Sequence, residues 1–183
     1  MPTPKLLGDV VKLELLQKES SQRVAEIWRA HHDTTSRAVG AVLHAHEWAR
    51  MAELAKRCPF FVLPVAKGDA KGDAKYVTFV AQQQGAHTLY TLLDEFRERG
   101  PDASVHLVLT SYDTLLESHN VALSRGELVS TELSLEEAKE LVQHTHDFYS
   151  EPRLTSLVED FNRGSESFSF EAVLAHCGIM PVT

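Results

Sequence analysis

Cysteine is scarce. The chain carries only Cys58 and Cys177, too few for a disulfide framework and without CxxC spacing. Two reduced, packed thiols are the expectation, with a single bridge as the alternative. Long apolar runs are missing as well: none approaches the roughly 20 residues that a membrane-crossing helix needs, so membrane insertion is not expected. Positive charge is in deficit, with 18 Lys and Arg against 26 Asp and Glu and a formal charge of −8. Eight acidic and two basic residues fall between Thr131 and Asp160, a local charge of −6. Such a surface repels phosphate backbones, and no basic stripe with interleaved aromatics lies elsewhere, so nucleic acid is not an expected partner. The start, MPTPKLLGDVVKLELL, lacks the arginine-rich, acid-poor character of a transit peptide and the pattern of a secretory signal. The protein therefore stays where it is made, or a presequence has been removed.

Signatures of chemistry are equally thin. The near-duplicate KGDAKGDA (Lys67–Ala74) lacks the GK[ST] ending of a phosphate-cradling loop, and a strand follows it instead of a helix. Glycine and aspartate with lysines between two strands suit a solvent-exposed hairpin loop. No HExxH or comparable acid–histidine cluster occurs. His144 and His146 lie two apart in a helix and point about 200° apart, so they cannot chelate together. His44 and His46 share a face only if that stretch is extended. No metal and no cofactor are expected. Cys58 and Ser111 stand outside any GxSxG-like setting that would expose and activate a nucleophile. Arg125-Gly126-Glu127 reads as an ion-pair-flanked bulge or a recognition feature, the structural reading being preferred.

What is present is a regular alternation of elements. Leu6 to Leu16 predicts a helix, and residues 1–18 an N-terminal helical extension. Ser20 or Ser21 caps a second helix with Val24, Ile27, Trp28 and His31 on one stripe. Ala38–Leu43 reads as a short buried strand, and His46–Arg57 as a helix with Trp48, Met51, Ala52 and Ala55 on one face. Both tryptophans are expected in the core. Phe60–Val65 and Tyr76–Gln82 are β-branched and aromatic enough to be strands. Pro64 cannot donate to a ladder, so the first of them is expected to end there or to run along an edge. His87–Leu93 is ambiguous and leads into a helical turn, DEFRER. Ser104–Thr110 and Val121–Val129 are strands, with Gly126 expected at a bulge. Ser134 and Glu137 form a capping box for a long helix with an acidic face. Leu154, Leu157, Val158 and Phe161 face inward on the next helix, which Gly164 ends. Phe168–His176 is helix or strand. The order predicts one α+β domain over residues 1–183, with a mostly antiparallel or mixed sheet, helices on one face and at the termini.

Several segments, KLLGDVVKLELL, EIWRAHH, RCPFFVLPV, HLVLTSYDTLL with LSRGELV, the helix ending in DFY (Asp147–Tyr149) and LVEDFN (Leu157–Asn162), occur in an order and spacing similar to one known family. They resemble the assembly factors of the mitochondrial ATP synthase catalytic sector that chaperone its β subunit. The similarity runs from about Leu6 to Val173; the KGDA duplication looks like an inserted length of loop. The resemblance implies a mitochondrial matrix protein, not an enzyme, that covers free β subunit against aggregation until α subunit replaces it. A monomer is the expected state. Candidate partner-binding residues are Phe60, Phe61 and Pro64 on the edge strand, with Arg125 and Glu127; the acidic helix from Ser134 is the second candidate surface. The competing expectation is a small acid–base enzyme with a cleft where His87, His106 or His119 meets a carboxylate.

Overall fold

The computed structural model describes residues 3–68 and 75–179, so most of the KGDA repeat (69–74) lies outside the described residues. Two single-turn helices come first, α1 (Leu7–Val10) and α2 (Leu13–Leu16), followed by α3 (Ser21–Asp33). Then come β1 (Ala38–His44), α4 (Ala45–Arg57), β2 (Phe60–Ala66), β3 (Tyr76–Gln84), β4 (His87–Leu92), α5 (Leu93–Arg99) and β5 (Val105–Tyr112). The chain continues through α6 (Leu116–His119), β6 (Val121–Leu128), α7 (Leu135–Ser150), α8 (Thr155–Arg163) and α9 (Phe170–His176). The six strands form one antiparallel sheet in the order β1-β6-β5-β4-β3-β2. The α+β expectation holds, and the ambiguous His87–Leu92 segment is a central strand.

The caps formed as their residues dictate. Ser20 Oγ accepts from the Arg23 amide at the head of α3, and Ser134 and Glu137 exchange bonds at the head of α7. Gly164 closes α8 with φ +64°, a left-handed conformation that costs a residue with Cβ far more.

One face of the sheet carries the main core. Phe61 packs its ring against Phe148, Tyr149, Phe161 and Phe168, with centroids 4.9 to 6.4 Å apart. Two polar tips are satisfied inside this core: Tyr149 donates to the Cys58 carbonyl at 2.9 Å. Thr145 donates to Leu141 O and so accepts from Tyr90 at 2.7 Å. Cys58 and Cys177 are free thiols, and burial pushes the Cys177 thiol up to about 12. The opposite face has a smaller core, where Trp28 meets Leu7, Leu16, Val24, Tyr112, Leu115, Val121 and Leu123.

Three local expectations are corrected. Leu6–Leu16 is not one helix: Val11 is extended (φ −136°, ψ 158°) and separates α1 from α2, which lets Leu7 and Leu16 both reach the Trp28 core. On α3 it is His32, four residues beyond Trp28, that is buried, while His31 is exposed. A Cβ on Gly40 would lie 2.5 Å from His32 Nδ1, so the glycine admits the imidazole between α3 and β1. Gly126 marks no bulge; it pairs in register with Val39 and Leu109. The register shift lies at Tyr90/Thr91. A Cβ on Gly126 would stand 2.9 Å from Val39 Cγ2 and 3.3 Å from Val142 Cγ2, where α7 presses on the sheet. Gly126→Ala is therefore expected to destabilise by about 1–3 kcal/mol through overpacking. Thermal unfolding should show Tm lowered by roughly 2–12 °C.

Candidate partner-binding surface

The edge-strand residues divide sharply. β2 pairs only with β3, so it is an edge. Phe60 is half-buried, but its backbone is already taken: its N–H donates to Asn162 Oδ1 at 3.2 Å and its carbonyl accepts from Asn162 Nδ2 at 2.6 Å. Since Phe60 turns its amide outward, alternation turns Val62, Pro64 and Ala66 outward too, and Pro64 has no N–H to offer. The edge is thus blunted for strand addition. Beside it, Phe60, Val62, Leu93, Phe96 and Phe161 line a shallow apolar groove. Phe61 is 0% exposed and belongs to the core, so it offers nothing to a partner. Pro64 is buried as well.

Arg125 and Glu127 sit under α3, remote from β2 across the sheet. Arg125 is 6% exposed. Its Nη2 donates to Glu127 Oε1 at 3.2 Å and its Nη1 lies 2.9 Å from His32 Nε2. His32 Nδ1 lies 2.8 Å from the Trp28 carbonyl, which can only accept, so Nδ1 carries the proton and Nε2 accepts from Arg125. The group is an internal lock joining α3 to β6, not a recognition feature on the surface. Burial, and then the adjacent guanidinium, lower the His32 pKa to about 4. Because the folded value lies below the unfolded one, protonation favours the unfolded chain. This contribution is complete above about pH 6.5 and fades as pH falls toward 4; its ceiling is on the order of 3 kcal/mol. Urea midpoints measured across that window should decline with acid, and more weakly in a His32→Gln variant.

The histidines of the enzyme reading stand apart from one another. His106 Nδ1 lies 2.7 Å from Ser130 Oγ, and His87 Nδ1 lies 3.2 Å from Thr110 Oγ1. His119 is held by Ser118 Oγ and the Glu19 carbonyl. His106 has a carboxylate near it, Glu95 at 3.9 Å, yet it is only 3% exposed and closed off from a substrate.

The surface that the residue-by-residue reading missed is N-terminal. Leu6 is 74% exposed and Leu15 is 55% exposed, the two most exposed large apolar side chains among the described residues. Leu15 borders a groove floored by Val10, Val11, Leu16 and Ile27 and edged by Lys12, Glu19 and His31. The same short segment supplies anchors: Leu7 and Leu16 are buried, and Tyr112 donates to the Lys5 carbonyl at 2.7 Å. An apolar floor with a polar rim on an anchored segment is the anatomy of a contact surface. The available signal was the leucine and valine density of LLGDVVKLELL, which exceeds what one buried helical stripe can absorb.

The family described as ATP11 protein matches residues 1–174. This chain belongs to the ATP11 protein family. Similar proteins include ATP synthase mitochondrial F1 complex assembly factor 1 of Danio rerio, 28% identical over 173 residues, covering 93% of this chain and 55% of the relative. The protein of that name from Homo sapiens is 27% identical, with 93% and 51% covered. Protein atp11, mitochondrial, of Schizosaccharomyces pombe is 22% identical over 182 residues, with 95% and 63% covered. The chain spans about half the length of the first two. In this ATP11-family chain both the N-terminal ridge and the Phe60 groove fall within the matched residues, and no described helix is long and apolar enough to cross a membrane.

Proposed function

We propose that this ATP11-family chain is an assembly chaperone of the mitochondrial ATP synthase catalytic sector, acting in the matrix. It binds free β subunit and keeps its interface surface from aggregating until α subunit replaces it. The names of its relatives support the assembly role. The observation that carries the binding reading is the exposure of Leu6 and Leu15, Leu15 bordering the Val10–Val11–Ile27 groove. A subunit awaiting its neighbours in a ring exposes apolar surface, and transient apolar cover lowers its association with the wrong partner.

The N-terminal ridge is the principal contact and the Phe60 groove the secondary one. The acidic face of α7, with Glu136 and Glu140, adds long-range attraction rather than contact energy. Reversing both charges should flatten the salt dependence of association without abolishing the complex, as titrations at several ionic strengths would reveal.

Light scattering of diluted, isolated β subunit tests the function. This chain should suppress the rise in scattering, and added α subunit should release it from β. Unchanged scattering together with separate elution of the two proteins would remove the proposal.

A further inference from the structure

We propose that His144, Asp147 and His176 form a binding site for one divalent transition-metal ion of the zinc type, tying α9 to α7. His144 and Asp147 are three residues apart on α7, a spacing that puts both on one helical face. His176 ends α9 and reaches the same point, its Nε2 lying 3.1 Å from Asp147 Oδ2. His144 Nδ1 lies 4.0 Å from that oxygen, and the three donor atoms all lie within 4.8 Å of one another. Ligand atoms around a tetrahedral zinc stand about 3.3 Å apart, so sub-ångström to ångström side-chain shifts close the site.

The surroundings orient these donors. Asp147 turns its other oxygen, Oδ1, to the Gln143 amide at 2.7 Å, leaving Oδ2 for the shared point. The His176 ring packs on Phe148 at 4.9 Å, which fixes its plane. His144 Nδ1 is buried and has no hydrogen-bond partner among the described residues, since 4.0 Å to a carboxylate is too long for one. A polar atom kept dry and unpaired beside two other donors is costly unless something meets it. Two imidazoles and one carboxylate, with a fourth position open to water, match zinc far better than magnesium, which prefers all-oxygen shells.

The pattern is hidden in the sequence because the suggestive pair is the wrong one. His146 faces the opposite way, its Nε2 lying 3.4 Å from Ser124 Oγ inside the core. The partner of His144 comes from a helix thirty residues on. The site lies on α7 and α9, apart from the N-terminal ridge proposed as the principal client contact.

The test is calorimetric titration of chelator-stripped protein with Zn²⁺, repeated with Mg²⁺, and with Co²⁺ read by its visible ligand-field absorption. One Zn²⁺ per chain is expected, with tetrahedral cobalt bands and no magnesium uptake. Zinc a hundredfold above Kd should raise Tm by about 5–11 °C. Asp147→Asn and His176→Gln should each weaken binding by at least about 10-fold to 100-fold. His144→Gln is the cleanest variant, because His144 makes no hydrogen bond in the described structure and its loss in chelator should leave Tm near that of the parent. His46→Gln should change nothing. Absence of stoichiometric zinc would overturn the site. So would zinc binding that survives in both His144→Gln and His176→Gln, since that uptake would belong to other histidines.

Discussion

Replacing Leu6 and Leu15 together with serine should abolish the protection of β subunit while leaving this chain folded. Both side chains are mostly in solvent, so their removal costs the free protein little. In a complex that covers them, each loses the transfer free energy of a leucine, about 1.5 kcal/mol or more. Together that is about 3 kcal/mol, or roughly a hundredfold in affinity. Co-elution with β at micromolar concentration should disappear and scattering should rise as if the chaperone were absent. Phe96→Ser in the Phe60 groove should cost much less. The opposite ranking would move the principal contact to the β2 edge.

Trp28→Ala should be the most damaging single change to the fold. The indole is fully buried, packs at the centre of the second core and stands edge-on to Tyr112 at 6.0 Å. Its Nε1 donates to the Ser124 carbonyl at 3.0 Å, fastening α3 to β6. Truncation leaves a large cavity and removes the indole's hydrogen bond, a loss of about 3–5 kcal/mol. For a chain of this size that lowers Tm by roughly 6–20 °C. Because Leu7 and Leu16 rest on the same cluster, the ridge should loosen with it: limited proteolysis near the N-terminus should accelerate before the C-terminal helices are cut.

Much of the fold follows from local rules that this sequence obeys. The Ser20 and Ser134 caps and the Gly164 stop are decided by neighbours in the chain, and each formed where its residues imply. The departures have tertiary causes. His32 replaces His31 in the interior because Gly40, on another element, makes room for it. Gly126 serves the close approach of Val39 and Val142, which no local pattern announces. Phe61 and Arg125 carry the residue types of an interface, but burial and three-dimensional partners commit them to the interior. Edge position alone made Phe60 attractive; the Asn162 side chain that occupies its backbone comes from a helix a hundred residues away. The N-terminal ridge escaped for a related reason. Its leucines are split between buried and exposed only after Val11 breaks the helix.

Amide hydrogen exchange of this chain, alone and with free β subunit, tests the central claim most directly. The account predicts slowed exchange concentrated in residues 5–18, a smaller effect near Phe60 and Phe96, and reversal when α subunit is added. Protection confined to α7 or the β2 edge, with residues 5–18 unchanged in a stable complex, would contradict it.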